Sequence, residues 1–249
     1  MSAAISVRSR CTRFDVASWL LLAGAAGAVN GFAFVMCRQY VTHISGTFTQ
    51  IGLESNRLEL AAKSAALVLS FILGAFTSSL AFRGASGATR RQSWTIPLLV
   101  VATLLIALAV TGRSGAFGTF GTEATLDIRV VVLLAVLSYA MGLQNAVVTL
   151  ATDPAVRTTH VTGPATELGI QLGAAVRASG RERREAVRAA SLRAGKIFTF
   201  ALGAALSMPL ARSTGYLALL EPAFCIILAT LIGGRSRGPG LTVVDLQAA

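Results

Sequence analysis

The chain holds only two histidines, His43 and His160, and each sits in a copy of the same polar stretch. The first copy reads Thr42-His43-Ile44-Ser45-Gly46 and continues Thr49-Gln50-Ile51-Gly52-Leu53. The second, 117 residues later, reads Thr159-His160-Val161-Thr162-Gly163 and continues Thr166-Glu167-Leu168-Gly169-Ile170. Imidazole titrates near neutrality, with a reference value of about 6.5, so a matched pair can bind a solute or carry a proton. Around the histidines stand the hydroxyls of Ser45, Thr49, Thr162 and Thr166 and the bare backbone of Gly46 and Gly163. If each copy opens a helix, its free N–H groups favour an anionic or carbonyl-bearing group. A lone histidine in an apolar chain commonly serves as a buried hydrogen-bonding residue. Pairing across a repeat is what puts a functional role on an equal footing here.

Asn30 and Asn145 are the next candidates, because Gly27-x-x-Asn30-Gly31 recurs as Gly142-x-x-Asn145-Ala146 at an offset of 115. Each amide either lines the site or ties helices together. Two carboxylates are candidates for proton coupling. Glu167 replaces Gln50 of the first copy, and Glu221 lies within an apolar run, where a carboxylate is functional by default unless it reaches a solvated interface. Neither a metal-ligand spacing nor a nucleophile–base set, phosphate loop or paired catalytic carboxylates stand out. No metal, cofactor or enzymatic activity is therefore expected.

These residues must be positioned by membrane helices. The 249 residues are 54% hydrophobic and 13% charged, with a mean hydropathy of +0.67, too apolar for a soluble domain. The formal charge of +11 does not point to nucleic acid, since the basic residues lie between apolar runs and form no stripe with interleaved aromatics. Cys11, Cys37 and Cys225 are odd in number and widely spaced, which suits packing better than a disulfide framework. Arg8, Arg10 and Arg13 ahead of Trp19-Leu20-Leu21-Leu22 imitate a signal peptide, but the apolar run continues through Val35, so a retained first span is expected.

Six spans are predicted, at about 16–36, 61–82, 94–110, 129–150, 194–211 and 215–232. Phe71-x-Leu73-Gly74-Ala75-x-x-Ser78 returns as Phe200-x-Leu202-Gly203-Ala204-x-x-Ser207 at an offset of 129, so 12 residues are inserted after the second motif. Matching pieces in the same order make an internal duplication: repeat one at 16–112, repeat two at 129–234, a Gly-rich linker at 113–128, and tails at 1–15 and 235–249. The basic run Arg177 to Arg193 reads as a helix lying on an anionic leaflet.

Charge then sets orientation. With six spans, 16 of the 22 positive residues fall on the side of the N-terminus, Lys196 counted among them, so both termini are expected in the cytoplasm. Spanning motif helices would move Arg83, Arg90 and Arg91 outside and break that pattern. Three spans per half oblige the halves to insert in opposite senses, an inverted-topology repeat. Each motif copy is expected to be extended up to Gly46 or Gly163 and then to form a helix of about ten residues from near Thr47 or Pro164. That is too short to cross a core of about 30 Å; each segment either re-enters or lies buried within protein, and if both re-enter their N-termini meet near the midplane. The fold class is thus an all-α membrane protein of six transmembrane helices in two inverted repeats, each with a half-helix.

At the motif copies and the two Gly-x-x-Asn spans the chain resembles the YoaK family of bacterial inner-membrane proteins, a family of unknown function, over about 16–234. The second copy, Gly142-Leu143-Gln144-Asn145 and Arg157 through Gly163, follows the family's pattern closely. Family members usually carry Gly-x-x-Asp in the first span and His-Met-Thr-Gly-Asn after it, where this chain has Asn30 and Thr47. The resemblance implies a multi-pass inner-membrane protein and no particular substrate. The leading expectation is a secondary transporter of a small anionic or carbonyl-bearing solute, surrounded by lipid and compatible with a homo-oligomer. A scaffold that binds a partner or lipid, and a passive channel, stay open beside it.

Overall fold

The computed structural model describes residues 12–83, 90–121, 127–151 and 161–234, all helix or connecting turn. Helix α1 (Arg13–Cys37) starts on a reciprocal cap. The Thr12 hydroxyl accepts the Asp15 N–H at 3.2 Å, and the Asp15 carboxylate accepts the Thr12 N–H at 2.9 Å. It ends at Arg38, whose φ of 53° turns the chain back. There follow α2 (Ile44–Leu53), α3 (Leu58–Arg83), α4 (Arg90–Arg113), α5 (Ile128–Ala151), α6 (Thr162–Arg177), α7 (Gly180–Thr214), a 3-10 segment (Gly215–Leu219) and α8 (Leu220–Gly233).

Five helical stretches are long and apolar enough to cross a membrane: Arg13–Cys37, Leu58–Ala81, Trp94–Arg113, Ile128–Ala151 and the unbroken run Gly180–Gly233. This is a helical membrane protein. Leu69, Ile72, Phe76 and Leu80 of α3 are exposed, as hydrocarbon-facing side chains should be. The run Gly180–Gly233 folds back on itself at Gly215, whose φ of 59° suits glycine.

Contacts between named residues give the helix directions. Gly24, Gly27 and Gly31 of α1 meet Thr199, Phe200 and Ala204 of α7 in rising order, so the two are parallel. Leu67 and Phe71 of α3 likewise meet Ser138 and Gly142 of α5. The Ser18 hydroxyl donates to the Ala229 carbonyl at 2.8 Å while Phe32 packs on Tyr216, so α8 runs against α1. Trp94 meets Gly233 and Gly112 meets Tyr216, which sets α4 against α8. The Gln144 amide donates to the Leu22 carbonyl at 3.0 Å, and Ser138 lies beside Val41, so α5 runs against α1. Hence α1, α4 and α7 point one way and α3, α5 and α8 the other.

Two of these pairs are the same contact written twice. A Cβ added at Gly27 would strike the Phe200 carbonyl, and one added at Gly142 would strike the Phe71 carbonyl. Gly203 lies against the Gly24 carbonyl and Ala28, and Gly74 against the Tyr139 carbonyl and Leu143. With little hydrophobic drive between helices in lipid, close backbone approach at small residues supplies the packing. Leu22, Phe32, Leu133, Leu134, Leu137, Met141, Leu219 and Ile226 fill the centre behind these contacts.

Three sequence expectations change. The basic run 177–193 is not a separate surface helix: from Gly180 onward it is the start of α7, which spans 35 residues. Glu, Arg, Ala and Leu there are good helix formers, so nothing stops the helix before the apolar part. At about 1.5 Å per residue α7 is roughly 50 Å long, so its basic turns extend beyond a hydrocarbon core of about 30 Å. The linker is packed in its described part. α4 reaches Arg113, Phe117 and Phe120 lie on Tyr216, and the Tyr216 hydroxyl stands 3.1 and 3.2 Å from the Phe117 and Gly118 carbonyls. The last segment begins as a 3-10 turn rather than as regular α-helix.

Gly27→Val and Gly142→Val should each destabilise the detergent-purified protein by about 1–3 kcal/mol, because a backbone carbonyl cannot yield as a side chain can. Gly169, with nothing within 4 Å, should accept Gly169→Ala with no loss. Thermal unfolding of the three variants checks the contrast.

Candidate functional site

The first motif copy returns into the bundle. After α1 ends at Cys37, residues 38–43 fold back so that Val41 and Thr42 stand beside Asn30, seven residues before the helix end and thus about 10 Å inside it. Non-helical backbone at that depth needs internal partners. Asn30 supplies them: its Oδ1 accepts the Val41 N–H at 3.0 Å and the Thr42 N–H at 3.3 Å. The Ser138 hydroxyl lies 3.3 Å from the Val41 carbonyl and 2.9 Å from the Leu67 carbonyl, joining this strip to α5 and α3. Asn30 is therefore a positioning residue for the motif.

α2 then climbs back along α3. It begins at Ile44, capped by His43, so the extended part is shorter than the expected run to Gly46. Gly46 and Gly163 lie inside the first turns of α2 and α6, where backbone N–H groups lack intrahelical acceptors. His43 is exposed, and a ladder of flat groups holds it. Arg38 lies over Phe34 at 5.5 Å, Phe34 stacks on Tyr40 at 4.9 Å, and Tyr40 stacks on His43 at 5.1 Å. Ser45, Gly46 and Thr49 are exposed as well, the Thr49 hydroxyl bonding the Ser45 carbonyl at 3.1 Å. Gln39 ties the loop to the helix, its amide donating to Gln50 at 2.7 Å.

The second copy enters from the opposite end. α6 and the start of α7 form a hairpin through Ala178 and Ser179, closed by an ion pair of Arg193 with Glu167 at 2.6 Å. Gly195 sits beside Leu20, near the N-terminal end of α1, so the N-terminus of α6 points back toward the middle of the bundle. α6 runs to Arg177, 16 residues and longer than the ten expected, with Pro164 in its first turn, where no N–H is missed. Thr162 and Thr166 are exposed and Gly163 is half-buried, the Thr166 hydroxyl bonding the Thr162 carbonyl at 3.1 Å. His160 lies outside the described residues.

The two short helices do not touch each other. α2 leans on α3 and α6 on α7. The expected meeting of their N-termini is therefore not a contact, because each hairpin is held by its own long neighbour. Asn145 is half-buried, and its Oδ1 has no hydrogen-bond partner among the described residues, unlike its counterpart Asn30. Glu167 is taken up by Arg193, whose Nε donates to its carboxylate at 2.6 Å. Glu221 stands elsewhere, in the first turn of α8: one oxygen accepts the Cys225 thiol at 3.6 Å and the other, buried, has no partner among the described residues.

Sequence reasoning missed Ser138 and Gln144, both fully buried and both bonded to backbone carbonyls of other segments. Gln144 adjoins Asn145 within an apolar run and was legible as a buried amide. A single serine in a span carries no such signal.

An all-helical membrane protein with two half-length polar helices inserted from opposite ends is the class these features define. A family model described as "Protein of unknown function (DUF1275)" matches residues 18–232, and the chain belongs to that family. No curated protein and no solved structure matches the chain.

Asn30→Ala should destabilise the protein by about 2 kcal/mol or more, since two buried N–H groups lose their acceptor. Asn30→Asp keeps an accepting oxygen for both N–H groups and should unfold close to the parent temperature. Parallel thermal melts separate these outcomes.

Proposed function

We propose that the protein is a secondary transporter of a small anionic or carbonyl-bearing solute, bound in the space between the two motif helices. The observation that carries this reading is the pair of short helices, each starting well inside the bundle and entering from opposite ends. Helix N-termini aimed inward offer free N–H groups and positive dipole ends to such a solute. His43, Ser45, Gly46 and Thr49 would face it from one side, His160, Thr162, Gly163 and Thr166 from the other, with the Asn145 oxygen an unspent acceptor on α5. Glu167 and Glu221 are the candidate proton carriers.

In this reading six helices cross the membrane, with α7 and α8 as separate spans, and the halves form an inverted-topology repeat. The alternating directions of α1, α3, α4, α5, α7 and α8 support it. The 3-10 segment and α8 together reach roughly 31 Å, enough to cross. Within its family we read the chain as YoaK-like, placed in a bacterial inner membrane with both termini cytoplasmic, in contact with lipid and solute, binding no nucleic acid and catalysing no reaction. A homo-oligomer is compatible with the exposed apolar faces of α3 and α7.

A scaffold is the second reading. Asn30 locking residues 41 and 42, and Arg193 locking Glu167, are what favour it. The two readings part on water access. In vesicles, single cysteines replacing His43 and His160 should react with impermeant thiol reagents from opposite sides. His43→Ala should cut saturable solute or proton flux by roughly tenfold, the weight of one good hydrogen bond. Folded protein that moves nothing under any gradient, with both cysteines unreactive, would leave the scaffold.

A further inference from the structure

The loop that returns into the bundle carries a ladder of flat groups, and the ladder ends on an open face. Arg38 lies over the Phe34 ring at 5.5 Å, Phe34 and Tyr40 stack at 4.9 Å with their planes 12° apart, and Tyr40 and His43 stack at 5.1 Å and 27°. These separations are those of a cation held over a ring and of offset-stacked rings. His43 is the last member. It is exposed, and its imidazole makes no further ring contact, no hydrogen bond and no ion pair among the described residues.

The ladder also has a direction. Asn30 and Phe34 are four residues apart on one face of α1, and Arg38 caps the helix at its end. Residues 41 and 42 stand beside Asn30, about 10 Å inside that end, and His43 follows directly on them. The stack therefore descends from the mouth of the loop to the start of α2. Arg38 is exposed and pairs with no acid among the described residues, so the mouth carries an uncommitted positive charge.

Other groups at the foot of the ladder are unspent. Thr42, the residue before His43, is 3% exposed, and its hydroxyl has no partner among the described residues. A buried hydroxyl left in that state suits a ligand that brings an oxygen with it. The first backbone bond of α2 runs from the Thr47 N–H to the His43 carbonyl at 3.0 Å, which leaves the N–H groups of Ile44, Ser45 and Gly46 without intrahelical acceptors. The second motif copy does not repeat the ladder: Thr149 and Arg157 stand where the first half has Phe34 and Tyr40, at offsets of 115 and 117. A stack needed merely to build a motif hairpin would recur with the motif.

We propose that the open face of His43 is a stacking subsite for a planar solute, an aromatic or heteroaromatic carboxylate, whose ring extends the ladder and whose carboxylate takes hydrogen bonds left free in residues 42–46. Tyr40 holds the imidazole and Phe34 holds Tyr40, so a ring docks without a further side chain having to be ordered. A saturated, puckered ring cannot lie flat on that face. The subsite names the solute class of the transport reading and rests on it for its role in flux, though not for binding.

The test uses the full chain purified in detergent at pH 7, with benzoate and cyclohexanecarboxylate as probes. The two share charge and ring size and differ in planarity. By isothermal titration benzoate should bind about five- to tenfold more tightly, the weight of one aromatic stack. His43→Ala should abolish that preference and His43→Phe should keep it. Tyr40→Ala should weaken it and Tyr40→Phe should not. Equal affinity for the two probes overturns the subsite, as does binding of neither, or a preference that survives His43→Ala.

If the His43 variants do not fold, NMR of the histidine-labelled parent decides, since the chain has only two histidines. The ring current of benzoate should move the His43 imidazole resonance upfield, that resonance being the one retained in His160→Gln, and cyclohexanecarboxylate should leave it in place. Absence of that movement overturns the proposal. Preferential binding of benzoate with no flux in vesicles would keep the subsite and discard transport. Saturable flux of solutes without preference for planar rings would keep transport and overturn the subsite.

Discussion

The whole arrangement depends on how closely two pairs of helix backbones approach. Gly27 against the Phe200 carbonyl and Gly142 against the Phe71 carbonyl leave no room for a side chain, so α1 lies directly on α7 and α5 on α3. In a bilayer, burying apolar surface between helices gains little, since lipid is equally apolar. Contact distance and interhelical hydrogen bonds must hold the bundle together. Parallel packing of α1 with α7 and of α3 with α5 in turn leaves each long helix a free side on which its short neighbour can lie.

A second constraint acts on the polar backbone. Residues 38–43 cannot enter the bundle without partners for their N–H and carbonyl groups, and Asn30 and Ser138 supply several of them. This explains why polar side chains sit on α1 and α5 at matching depth, facing each other across antiparallel helices. The duplicated asparagines have nonetheless diverged in use. Asn30 is spent on the loop, while the oxygen of Asn145 is left without a partner among the described residues.

Charge is distributed by the same geometry. Each hairpin closes with its own acid, Glu54 on Ser64 and Glu167 on Arg193, and each long helix brings a lysine into the interior beside that closure.

Much of this was legible in the residues. Apolar runs marked the long helices because a span needs about 20 apolar residues, and that requirement is local. The two motif copies and the glycine spacing made the internal similarity visible, because matched pieces in the same order, at offsets of 115, 117 and 129, need no structure to be seen. The short helices were foreseen in kind, and α2 has the ten residues expected, but local propensity carries α6 on to Arg177 and runs the basic stretch into α7. What only the tertiary structure decided are the long-range pairings. Asn30 meeting residues 41 and 42, Glu167 meeting Arg193, the separation of α2 from α6, and the burial of Lys63 and Lys196 all depend on which helix lies against which face. Such pairings join residues by three-dimensional packing between segments, and linear spacing does not encode which side of a helix its neighbours will cover.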